Sequence, residues 1–237
     1  MSNTIIHKAA TRGMADLGWL KSAQTFSFGG FYSPDRMGFG VLRVLNDDTV
    51  DGAMGFGNHP HDNMEIISIP LEGELVHQDS MGNETVIKPG EIQVMSAGTG
   101  IYHTEYNRDD TEPVKFLQIW LYPNQRNVAP RYDQKTIDMG EKNLLHQILS
   151  PDADDEGVWI YQNAWFNMGN FEAGKDVIYN LKDNANGVYA FVLSGDVNVN
   201  GQLLNSHDGM GITGTDQIHI KAESDMQILL MDIPMNL

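Results

Sequence analysis

The stretch Gly55-Phe56-Gly57-Asn58-His59-Pro60-His61, read together with Gly98-Thr99-Gly100-Ile101-Tyr102-His103-Thr104-Glu105-Tyr106-Asn107, decides how this chain folds. His59 and His61 are two apart, as are His103 and Glu105, and residues two apart on an extended strand share a face. Two such strands side by side bring three imidazoles and one carboxylate together. That donor set suits a borderline divalent metal, and a six-coordinate ion held this way keeps two positions open. A lone His-x-His is more often a solvated strand face, so the reading rests on both pairs occurring together. Between the pairs lie Ile66, Ile67 and Ile69, then the strand-turn-strand run Leu71-Glu72-Gly73-Glu74-Leu75. Pro89-Gly90-Glu91 then opens a further strand.

Working outward, Ile66–Ile69, Glu74–His77, Thr85–Ile87, Ile92–Met95, His103–Tyr106 and Phe116–Tyr122 read as short strands separated by turn residues. A spacing of roughly ten residues between turns predicts an antiparallel sandwich or jelly roll. Upstream, Val41–Val44 alternates as a strand, and Asn46-Asp47-Asp48 reads as a turn. Phe26, Phe28, Phe31 and Tyr32 read as packing at a barrel end. Pro123 to Ser150 reads as a linker, with a short helix or strand in Lys142–Leu149, and the acidic run Asp152 to Gly157 as a solvated loop. His77 is expected at the surface or rim and not as a ligand. His7, His146, His207 and His219 have no partner at ligand spacing.

The second half repeats the first in outline. Leu193-Ser194-Gly195-Asp196-Val197 echoes Leu71-Glu72-Gly73-Glu74-Leu75, and His207-Asp208-Gly209 echoes Pro89-Gly90. Two similar barrels follow from such a repeat. Carrying His59 and His61 forward by 122 residues, and His103 and Glu105 by 119, lands on Leu181, Asp183, Ala222 and Ser224. No His-x-His occurs after residue 61, so the second barrel is expected to lack a metal.

Composition narrows the function classes. The 237 residues carry 15 basic and 32 acidic side chains, a formal net charge of −17. Such a surface repels phosphate backbones and anionic membranes. No apolar run approaches the ~18 residues of a membrane span. Met1 to Ala10 lacks a secretory pattern, so a cytoplasmic location is expected. Cys is absent, which leaves N and O donors for any transition metal; the 13 Met read as core filler.

The stretches Thr25-Phe26-Ser27-Phe28, Gly55–His61, His77-Gln78-Asp79-Ser80-Met81-Gly82-Asn83 and Met95–Asn107 resemble the pirin family of the cupin superfamily, nearest its compact bacterial quercetinase-like members. The likeness is dense from about residue 5 to residue 133. It implies an all-β bicupin, two antiparallel jelly-roll barrels packed face to face. Residues 1–133 would form the metal-binding cupin domain and residues 134–237 a cupin domain without metal ligands. It implies a metal set of His59, His61, His103 and Glu105, holding Fe(II) first and Mn, Co, Ni, Cu or Zn as alternatives. Many cupins draw the carboxylate from the position of Glu65, whose strand parity matches His59 and His61; the pirin match favours Glu105 and puts Glu65 beside the ligands or on the pocket wall. Phe56, Glu65, Met95 and Gln118 are the expected pocket residues, and Glu105 doubles as the catalytic base. The implied activity is oxidative cleavage of a flavonol such as quercetin with O2. The alternative is an iron-binding regulator acting through protein partners.

Overall fold

The computed structural model describes residues 2–236. Among these, the strands form two seven-stranded and two four-stranded sheets. Each large sheet closes against one small sheet as a barrel, and the two large sheets pack face to face. The bicupin architecture is therefore present. Among the described residues no helix is long and apolar enough to cross a membrane.

The main core lies between the barrels. Val41, Leu45, Ile67, Ile69, Leu117 and Ile119 from the first large sheet meet Phe166, Tyr189, Phe191, Leu229, Met231 and Ile233 from the second. A central strand such as Asn186–Ser194 is buried on both faces except at Ser194, which is why it reads as an unbroken apolar run. The small sheet alternates instead: along Ile101–Asn107 the residues at 101, 103, 105 and 107 are buried, while Tyr102 and Tyr106 face out.

The repeated turn signature holds in both barrels. Gly73 and Gly195 have φ of +74° and +76°. A Cβ on Gly195 would lie 2.2 Å from the Asp225 carbonyl oxygen, so only glycine fits there.

Three sequence expectations need correction. Asn46-Asp47-Asp48 is not a turn; it lies inside the strand Leu42–Val50, with Asn46 and Asp48 buried. Asn46 and Asp48 face a polar barrel interior, whereas Asp47, on the opposite face, pairs with Arg12 and His207. The expected division at 133/134 falls inside the strand Arg131–Thr136, which pairs with Glu91–Ser96 in the first large sheet. The strand Asn3–His7 pairs with Gly209–Thr213 in the second. That N-terminal strand occupies the sheet edge that Arg131–Thr136 occupies in the first barrel, a pairing no local pattern announces. The aromatic cluster also divides: Phe26 is wholly buried between the barrels, Tyr32 is exposed, and Phe28 turns toward the interior of the first barrel.

Candidate metal centre

The strands Gly55–His61 and Ile101–Asn107 are antiparallel neighbours in the first small sheet, with His103 opposite His59 and Ile101 opposite His61. Directly opposed residues share a face, so the three imidazoles converge. Their ring centroids are 4.3 Å (His59–His103), 4.9 Å (His59–His61) and 5.0 Å (His61–His103) apart. One nitrogen from each lies within 4.8 Å of the others.

The protonation of these rings fits a metal. Burial lowers His61 to about 4 and His103 to about 2, with the neighbouring imidazoles adding to the shift. Both are therefore neutral at neutral pH, the form that ligates. His59 Nδ1 lies 2.7 Å from the Gly57 carbonyl oxygen, and donating to it leaves Nε2 bare. Both ring nitrogens of His103 are buried without a partner. Buried nitrogens of this kind call for a partner, and an ion bound by three imidazoles supplies it.

Glu105 lies outside the set within 4.8 Å. Ser68 Oγ donates to its Oε1 at 3.1 Å and Gln118 Nε2 donates to its Oε2 at 2.9 Å. A carboxylate offers about four lone-pair sites, so these bonds orient it without exhausting it. The pairing slips by one residue between His103 and Glu105, so that Glu105 faces Phe56 instead of Gly57. This bulge is what turns Phe56 inward although its parity is opposite to that of His59 and His61.

His59 and His61 line a cavity of about 240 Å³. Its apolar walls are Phe28, Phe56, Ile66 and Trp120, and its polar lining includes Glu105, Gln118, Asn46 and Asp48. Burial lifts the Asp48 carboxyl to about 7 against a hydrogen bond from Ser22, and the nearby Glu105 and Asp47 charges push the same way.

Phe56, Gln118 and Glu105 line the cavity, whereas Glu65 and Met95 do not. Asp62, Asn63 and Met64 break the strand after His61, which resets parity, so Glu65 points toward the second barrel. Ser96 Oγ donates to it at 2.7 Å. Burial lifts Glu65 to about 7 against that bond, the Tyr161 backbone N–H and the Arg131 charge. Met95 sits opposite Ile66 on the inner face but packs behind it with Ala97 and Ile101, away from the cavity lining.

His77 is also corrected. It is wholly buried, its Nε2 lies 3.2 Å from Asp79 Oδ2, and its ring stacks near His103 and Tyr132. Among residues the sequence reading passed over, Phe28, Asn46, Asp48, Ile66 and Trp120 line the cavity. Only strand alternation across Leu42–Val50 would have shown Asn46 and Asp48.

A two-barrel, cupin-type protein with one barrel built for a single divalent metal is the class these features define. The family model described as Pirin matches residues 6–121, and that described as Quercetinase C-terminal cupin domain matches residues 147–233. The quercetin 2,3-dioxygenase of Escherichia coli K12 is 41% identical over 229 residues, covering 97% of this chain and 98% of that protein. The crystal structure of YhhW from Escherichia coli is 40% identical, with a TM-score of 0.94 and 98% of each chain covered. The structure of bacterial pirin YhhW in complex with nickel(II) is 39% identical, with a TM-score of 0.93, covering 98% of this chain and 99% of that one. The chain belongs to the pirin family.

Proposed function

We propose that this protein is a cytoplasmic pirin-type dioxygenase that cleaves a flavonol such as quercetin with O2 and releases carbon monoxide. His59, His61, His103 and Glu105 hold one metal ion, Fe(II) in the first instance. The observation that carries this reading is the convergence of three imidazoles, with both His103 nitrogens unpartnered, beside a small aromatic-walled cavity. The quercetin 2,3-dioxygenase named above supports the same substrate class.

When bound, the ion supplies Lewis-acid stabilisation of the deprotonated 3-hydroxyl. Glu105 takes that proton as general base, worth on the order of 10²–10⁴-fold in rate. Gln118 and Ser68 hold the carboxylate in place while it does so. Phe28, Phe56, Ile66 and Trp120 clamp the ring faces and keep water out.

Oxygen uptake by metal-loaded protein tests the reading. Flavonols should turn over, and flavones lacking the 3-hydroxyl should not. Equal turnover of both, or undiminished activity after metal removal, would sink it and leave a regulatory role in front.

A further inference from the structure

Two buried oxygens in the cavity have no partner. Asn46 and Asp48 are two apart on the strand Leu42–Val50, both buried, both lining the cavity, and the Oδ1 atom of each lacks any hydrogen bond. No cross-strand neighbour, Gln24 included, hydrogen-bonds either atom. Gln118, opposite Asn46, directs its amide nitrogen to Glu105. Asp48 lies opposite Ser22 on one side and the apolar Phe116 on the other. A third orphan lies close to the metal site: Trp120 Nε1, a donor, on a ring packed edge-on to His61 at 4.9 Å.

Polar atoms this deeply buried need a partner, and the cavity is the open side on which one can come. The walls it offers otherwise are apolar. The complement of the site is a flat apolar molecule carrying hydroxyl donors and one acceptor oxygen.

We propose that Asn46 and Asp48 read the hydroxyl groups of a polyphenol, each accepting a hydrogen bond from a substrate hydroxyl other than the one at the metal, while Trp120 donates to its acceptor oxygen. The proposal rests on the dioxygenase reading and adds to it that substrates are ranked by their further hydroxyls. The cavity, at about 240 Å³, is smaller than the roughly 300 Å³ at which pockets for drug-sized ligands begin. One end of a three-ring flavonol therefore enters and is read, and the rest projects through the mouth.

The test is anaerobic fluorescence titration of metal-loaded protein with 3-hydroxyflavones bearing no, one or two further hydroxyls, on either ring system. Affinity should rise about 2- to 10-fold with each hydroxyl that is read. Asn46→Leu and Asp48→Leu should each remove one step. Asp48→Asn, which keeps an acceptor, should retain it. If either leucine variant misfolds, the gradient in the wild-type protein and in Asn46→Ala carries the same test. A flat wild-type series, or a gradient untouched by the variants, overturns this proposal while the dioxygenase reading stands. A wild-type protein that binds no 3-hydroxyflavone overturns both.

Discussion

The two barrels share a frame and differ inside. In the second, Val188, Ala190, Val192, Ile218, Ile220 and Ile228 belong to one continuous apolar cluster. In the first, the interior apolar residues fall into two small clusters, one around Leu75, Ile87 and Phe116 and one around Ile66, Met95 and Ile101. A polar belt crosses the inner face of the large sheet in between: Gln24, Asn46, Gln118, Ser68 and Gln93 are successive cross-strand neighbours. The strand pair Asp176–Asn180 and Gln217–Ala222 corresponds in sheet order to the His-bearing pair of the first barrel. It turns Tyr179, Ile218 and Ile220 inward, while His219 faces solvent against Asp176. The same scaffold thus serves as a core in one copy and as a site in the other, and the first copy gives up apolar contact to make room for chemistry.

The comparison breaks most visibly at His103. Substituting His103→Ala should abolish metal retention and lower flavonol turnover by a factor on the order of 10³ or more, since one-third of the imidazole set is gone. His219→Ala should leave metal content and rate unchanged. Elemental analysis giving two ions per chain would contradict the picture of an apolar second interior.

Truncation inside the second barrel should act on stability instead. Ile220→Ala empties a fully buried site and should cost about 2–5 kcal/mol in a urea melt. The variant, once folded, should bind metal as the parent does. A loss of affinity in step with the loss of stability would show that the two interiors are coupled.

A smaller effect is expected one layer out from the metal. Gln118→Leu removes the donor to Glu105 and should weaken metal affinity about 10- to 100-fold. Glu105→Gln should also reduce metal retention, whereas Glu65→Gln should not. The reverse pattern for the two glutamates would reassign the carboxylate ligand.

The smallest effect concerns Glu65 itself and is a matter of pH. Its folded value, about 7, lies above the ordinary 4.5. Its contribution to stability is therefore fully present below pH 4.5 and lost as pH rises through 7. Glu65→Gln should be more stable than the parent at pH 8, on the order of 1–2 kcal/mol, with the gap closing toward pH 5. A gap of constant size across that range would rule out the buried charge as its cause.

Much of this site was legible because its residues come in strand-parity pairs. His59, His61, His103 and Glu105 announce a shared face wherever two strands meet. Parity failed where the chain departs from a regular strand. The bulge beside Gly57 brought Phe56 inward by a route no alternation predicts, and the break at Asp62–Met64 sent Glu65 to the opposite side. Asn46 and Asp48 were hidden by their own chemistry, since residues that usually make turns were here serving a wet interior. His77 was misplaced because Asp79, which hydrogen-bonds it, also caps the adjoining turn through Met81 and Asn83, and that turn dominated the reading.

The strand Asn3–His7 gives the molecule a schedule. Its partner Gly209–Thr213 lies roughly 200 residues further along. At about 5–20 residues per second the ribosome needs roughly 10–40 s to supply it. Every strand of the first barrel has emerged well before then, so that barrel can close while the leading strand still hangs free. Asn3, Thr4 and Ile5 keep an exposed, largely polar face even in the finished sheet, which suits a segment that must wait without pairing to a stranger. Closure of the first barrel can thus precede completion of the second, whose strand Met226–Pro234 emerges later still, and the seam made by Asn3–His7 ties the two together.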